Sequence, residues 1–351
     1  MTTTARGLTR FPFRRTTLAT AAVLLTTGVL AVASAGPPSS GPTFGPHAAK
    51  ALSWKQIVTS HAPSLRNWFG MAFDAADNYT VLYGGYDPSI GSFYWDTWEY
   101  LGGVWTQLSP AYHPSASSGL KMVYDPVLKG VVAFGGESPY GGTYYSDTWL
   151  FQNGSWTQLF PTTSPSPRSQ YAMAYDAADS EIVLFGGSAG GSNDYSDTWT
   201  FNGTTWARVV TAVHPQGRLF ANMAYDAKSG KTLLAGGINQ TSGPYNATWT
   251  FSGGTWKRLS HSDFPGRQHT PIATLANGTP IFFGGQSPTT PWGLYNTTYE
   301  FFGGKWHHVR VANAPAPRSN GGLVYDAIDG HLLMFGGGIY GSMWNQTYIL
   351  R

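Results

Sequence analysis

From Trp54 to the C-terminus the chain alternates short apolar runs with polar turns. One unit reads Tyr171-Ala-Met-Ala-Tyr-Asp176, Ile182-Val-Leu-Phe-Gly-Gly187, Asp197-Thr-Trp-Thr-Phe201, Asn202-Gly203 and Trp206-Ala-Arg-Val209. Each run is too short for a stable helix and is closed by a turn signal, so the unit predicts four β-strands. The alternation of Trp149 and Phe151 places both rings on one buried face.

The unit recurs six times. Doubled glycines stand at Gly84-Gly85, Gly135-Gly136, Gly186-Gly187, Gly236-Gly237, Gly284-Gly285 and Gly336-Gly337, spaced 51, 51, 50, 48 and 52 residues apart. A second ladder is Trp54, Trp105, Trp156, Trp206, Trp256 and Trp306, and a third is Trp98, Trp149, Trp199, Trp249, Tyr299 and Tyr348. Three ladders in one phase define a repeat architecture, in which each unit hides its apolar faces against its neighbours.

These units resemble Kelch repeats: a double glycine after an apolar strand, a Tyr-Asp turn before it, and paired aromatic strands downstream. The resemblance covers Ser53 to Arg351 and implies an all-β, six-bladed β-propeller of Kelch type, each blade a four-stranded antiparallel sheet. The sixth unit stops on its third strand at Tyr348-Ile-Leu-Arg351, while Trp54-Lys-Gln-Ile-Val58 has the form of an unaccompanied fourth strand. We therefore expect the N-terminal strand to complete the last blade and close the ring, leaving no open edge.

Ahead of the repeats, Arg6, Arg10, Arg14 and Arg15 precede an uncharged apolar run from Leu18 to Val32 that ends in Ala33-Ser34-Ala35. This is the layout of a signal peptide over residues 1–35. The run falls short of the roughly 20 residues that span a bilayer, so no stable membrane insertion is expected after cleavage. Arg14-Arg15-Thr-Thr-Leu18 loosely resembles a twin-arginine export signal without its usual Phe. Residues 36–50 are a Pro/Gly/Ser-rich lead-in, and 51–351 form the propeller. The expected location is secreted or at the cell surface. Export changes the charge picture: the formal net charge of +3 becomes 17 basic against 18 acidic residues once the four signal arginines leave. Nucleic acid is thereby excluded as a partner. The chain has no Cys, so packing alone must hold it together.

Turns alternate between the two ends of an antiparallel blade. Asp74-Ala-Ala-Asp77 and its equivalents lie at one end, and the longer segments after each double glycine lie at the other, where function is expected. Ten of the 14 Trp belong to the two ladders, leaving Trp68, Trp95, Trp292 and Trp344. These fall in blades five, six and one, and with Tyr86 and Tyr340 they form a candidate platform for a sugar ring or a peptide. The resemblance implies that the residue after each double glycine lines the channel mouth: Tyr86, Glu137, Ser188, Ile238, Gln286 and Gly338. Tyr94, Tyr145, Tyr195, Tyr245 and Tyr295 recur at one position and read as structural. So do Arg66, Arg168, Arg218, Arg267 and Arg318, as pins between blades, with Ser117 replacing Arg in blade two.

Galactose oxidase-like propellers need a Cys joined to a Tyr for their copper cofactor, and this chain has none, so that chemistry is not expected. The scattered histidines and the absence of an Asp-x-Asp-x-Asp series give no metal site, and the turn aspartates read as hairpin caps. No cofactor is implied. Asp87, Glu137 and Asp194 are weak acid-base candidates. The sequence reading is an exported, non-catalytic module for an extracellular glycan or protein. Its alternatives are a carbohydrate-acting enzyme, by analogy with the Kelch-type N-acetylneuraminate epimerase, and a purely structural surface repeat. A chain truncated before residue 60 is expected to lose cooperative thermal unfolding, and an unchanged melting curve would refute closure by that strand.

Overall fold

The computed structural model describes residues 52–139, 142–191, 194–241, 243–260, 264–287, 293–339 and 342–351. Among them every named element is a β-strand, and no helix is long and apolar enough to cross a membrane. Six four-stranded antiparallel sheets follow one another along the chain as the blades of a propeller. Blade three is typical: Ala172–Asp176, Glu181–Phe185, Thr198–Phe201 and Trp206–Val209 pair in sequence order from the axis outward. In blade six, Trp54–Ile57 pairs antiparallel with Thr347–Leu350 and is the outermost strand.

The burial pattern follows each strand's place. Second strands are covered on both faces, as in Gly130–Phe134, where every residue is buried. Fourth strands bury only the Trp that points inward, as in Trp206–Val209. The core is accordingly divided into six layers, one between each pair of neighbouring blades. The layer joining Val324, Leu333, Phe335 and Ile349 of blade six to Phe69, Leu82, Tyr100 and Trp105 of blade one closes the ring.

Every layer contains one fourth-strand Trp, and in five of them its indole N–H donates across the interface. Trp105, Trp156, Trp206, Trp256 and Trp306 donate to Thr347, Thr97, Thr148, Thr198 and Thr248 at 2.8–3.0 Å. The threonine precedes the third-strand aromatic of the preceding blade. In the sixth layer, Trp54 Nε1 and Thr298 Oγ1 are both buried without a partner.

The doubled glycine joins the blades by main chain. Its second N–H donates to the carbonyl at the head of the next blade: Gly85 to Ser117, Gly136 to Arg168, Gly187 to Arg218, Gly237 to Arg267, Gly285 to Arg318 and Gly337 to Arg66. A Cβ on Gly186 would lie 2.7 Å from Arg218 O, and φ there is +76°. Both facts exclude a side chain.

The arginines are fully buried pins, but each guanidinium works within its own blade. Arg168 donates to Gly186 O at 3.0 Å and to both carboxylate oxygens of Asp197, and lies 4.3 Å from the centroid of Tyr195. Arg66 repeats this with Gly84, Asp96 and Tyr94. The interblade link is instead the arginine's carbonyl. The turn aspartates are caps: Asp74, Asp125, Asp176, Asp226 and Asp326 each accept backbone N–H groups two or three residues on. Blade five lacks that aspartate, and its first strand shrinks to Ile272–Thr274 above a tighter turn from Leu275 to Gly278.

Gly253 has φ +53° and open space where a Cβ would go, so Gly253→Ala is expected to cost only the left-handed penalty, about 1 kcal/mol. Gly186→Ala adds the collision with Arg218 O, so its melting temperature should fall several times further. Equal losses in thermal unfolding would refute the interblade account.

Candidate functional site

At the long-loop end the chain enters each first strand through three positions that repeat in conformation. The first carries the arginine. The second pairs across to the residue after the double glycine, as in Asn67 with Tyr86 and Gln268 with Gln286. The third is left-handed in all six blades: Trp68, Gly119, Gln170, Phe220, His269 and Asn320, with φ between +54° and +71°. Backbone hydrogen bonds run between these residues round the axis, from Gly119 N to Trp68 O, Gln170 N to Gly119 O, Phe220 N to Gln170 O, His269 N to Phe220 O and Asn320 N to His269 O. Between Asn320 and Trp68 the link is made by side chains, with Trp68 Nε1 donating to Asn320 Oδ1 at 3.1 Å.

This ring surrounds a pocket of about 60 Å³ at the axis, completed by Lys121, Asn222, Thr270 and Pro271 near the heads of first strands. That volume admits roughly four waters or one small oxyanion. Lys121 Nζ reaches 3.5 Å from Asn222 Oδ1, two blades away. Burial lowers the Lys121 ammonium to about 8. Burial, then the Lys121 charge, hold His269 down to about 3, against a hydrogen bond to Asn320 that raises it. His269 therefore sits neutral against Phe220, with ring centroids 3.7 Å apart. No carboxylate is among the described lining residues. The pocket thus offers one cation, amide groups and aromatic walls, and it favours negative charge.

Of the residues expected from sequence, Trp68 lines this pocket. Its indole stacks on Tyr86, centroids 5.9 Å apart at 14°, and Tyr86 packs on Phe93 at 4.4 Å. Tyr86 and Phe93 stand on a hairpin that in blade one continues the strands Tyr79–Asp87 and Ser92–Leu101, whereas the corresponding hairpins of blades four and six are separate two-stranded sheets. Trp95, on the same hairpin, is exposed. Trp344 lies 4.7 Å from the guanidinium of Arg318 and takes the place that Tyr94 has over Arg66, so it is the sixth member of the tyrosine ladder. Glu137 is buried, accepts a hydrogen bond from Ser169 at 3.2 Å, and has its pKa raised by burial, partly offset by that bond. Ser188 and Gln286 are likewise buried beside the ring rather than in the pocket lining. Trp292 and Tyr340 lie outside the described residues.

Gln170, Phe220, His269, Asn320, Lys121 and Asn222 escaped the sequence reading. The signal of the first four is a position two residues after each arginine where the repeats disagree in side chain, and Lys121 and Asn222 stand two residues further on. No family model matches the chain, and no curated protein shows significant sequence similarity to it.

The His269 environment has a consequence for stability. Its folded pKa lies below the ordinary 6.5, so the unfolded chain takes up a proton first. The stability it contributes is complete above about pH 6.5 and is lost as pH falls towards 3. Melting curves at pH 6.5 and 4 should show a smaller acid-induced drop for His269→Gln than for the parent, and equal drops would refute the assignment.

Proposed function

We propose that the chain is an exported, Kelch-type binding propeller. It takes an extracellular glycan or protein at its long-loop end, with an acidic group of the ligand seated over Lys121. The observation that carries this reading is the axial pocket, in which a lysine faces amide and aromatic side chains and no described carboxylate answers its charge. The arginines nearby are committed to the frame through glycine carbonyls, which leaves Lys121 to recognise an anion. The aromatic rise from Trp68 through Tyr86 to Phe93 extends this point contact into a surface on which a sugar ring or peptide side chain packs. A volume near 60 Å³ suits the acidic group alone, with the remainder of the ligand lying on the rim. The four-arginine leader and its apolar run support export.

One observation also serves the enzymatic reading. An amine lowered to about 8 has a far larger unprotonated share near neutral pH than an ordinary lysine, so a carbohydrate-acting enzyme would use Lys121 as its base. The pocket offers it no acid partner, because His269 stays neutral.

The test is an array of acidic and neutral glycans together with extracellular proteins, probed with the mature chain. Acidic ligands should bind, Lys121→Met should weaken them at least tenfold with no loss of melting temperature, and binding should decline as pH passes about 8. Retention by Lys121→Met, or an array without binders, refutes the reading, and chemical conversion of a bound glycan moves the chain to the enzymes.

A further inference from the structure

The opposite, short-turn end carries chemistry confined to one blade. The first hairpin of blade six reads Asp326-Ala-Ile-Asp329-Gly-His331, and Asp326 and His331 are direct cross-strand partners. A carboxylate oxygen from each aspartate and a ring nitrogen of His331 all lie within 4.8 Å of one another. The position of His331 is held by Tyr79, Gly130, Glu181 and Lys231 in blades one to four.

Each of the three groups has bonding capacity to spare. His331 is only 6% exposed, yet its Nε2 has no hydrogen-bond partner, in an interior where such atoms ordinarily have one. Asp326 Oδ1 caps the turn by accepting from Ile328 and Asp329. Its Oδ2 lacks the bond that Asp176 Oδ2 takes from Thr232, and Thr80, which holds the place of Thr232 in blade one, has a hydroxyl without a partner. Asp329 differs from its counterparts as well. Asp77 accepts the N–H of Asn153 and Asp179 that of Gly253, each from the outer turn of the following blade, and no equivalent bond reaches Asp329 among the described residues. The cluster lies at the seam between blades six and one, because the charges of both aspartates add to the effect of burial in pushing up the phenol of Tyr100.

We propose that Asp326, Asp329 and His331 form a binding site for a divalent transition-metal ion. Two carboxylates balance the charge of the ion, and an imidazole selects a borderline metal such as Zn²⁺ over Ca²⁺ or Mg²⁺, which prefer oxygen alone. Exposed Asp329 forms the solvent side, where water completes the coordination. The sequence alone suggests no metal site here because the turn aspartates account for themselves as caps, and the histidine stands on the following strand. A metal here would fasten the first hairpin of the blade that is assembled from both ends of the chain.

The experiment is calorimetric titration of ZnCl₂ into the metal-free full chain, paired with thermal unfolding. One ion should bind per chain and raise the melting temperature, with Ca²⁺ failing to compete. Asp329→Asn and His331→Gln should each weaken binding at least tenfold and abolish the thermal shift. Asp329 is exposed, so its variant keeps the test decisive even where the buried His331→Gln does not fold. Absence of one-to-one Zn²⁺ binding overturns the proposal, and so does Asp329→Asn binding as tightly as the parent, which would put the ion at other surface histidines.

Discussion

A carbonyl oxygen that arrives where a Cβ would stand is the constraint on which the propeller depends. At each double glycine the next blade's head carbonyl comes within 2.3–3.2 Å of the position a first-glycine Cβ would take, and the second glycine's N–H donates to it. Six such links run round the axis and tie every blade to the next by main chain. The side-chain machinery is built against them. The buried arginines occupy the other valence of the junction by donating to the first glycine's carbonyl, and a Tyr or Trp face covers each guanidinium. Where a carboxylate is also present, burial alone would raise Asp197, yet the bond and charge of Arg168 hold it below the usual range. Arg218, Arg267 and Arg318, which lack one, are lowered to about 10 by burial and stay charged at neutral pH.

What was legible in the sequence follows from this. Glycine is dictated wherever a Cβ collides, and tryptophan recurs where one large ring must fill the space between two sheets, so both leave ladders that need no alignment to see. The threonines that receive the indole N–H groups form a fourth ladder, equally periodic but chemically quiet. The site was less legible because its repeated property is a backbone conformation. Trp68, Gly119, Gln170, Phe220, His269 and Asn320 share a left-handed φ and little else. Trp344 hides a repeat in the opposite way, since a Trp in a ladder of tyrosines does not look like a member of it until its ring is seen against Arg318.

Blade two concentrates the departures from the repeat, and they converge on the pocket. Ser117 replaces the arginine, Gly119 is the one residue of the left-handed ring without a side chain, and Lys121 supplies the cation, at alternate positions of one strand entry. Losing the arginine leaves Asp147 Oδ1 buried without a partner, although Trp149 still donates to Oδ2. A blade serving only the frame would keep its pin. The ring tolerates the loss because Ser117 retains the one group the neighbouring glycine requires, its carbonyl.

The two ends of the propeller therefore differ in kind, for a reason rooted in the backbone. At the long-loop end the glycine carbonyls need donors, and five of the six first strands begin with a buried arginine. At the short-turn end the hairpin N–H groups need acceptors, and five of the six first strands finish on a buried aspartate. Blades one, three, four and six have both groups, but Asp96 and Asp197 pair with Arg66 and Arg168, so among the described residues only Arg218 and Arg318 of these four stand without a carboxylate partner at the long-loop end. Lys121 and the cluster around His331 then stand at opposite ends of the blades, each beside groups that main-chain hydrogen bonding already requires there. A replacement of either would alter recognition at one end while leaving the main-chain frame in place.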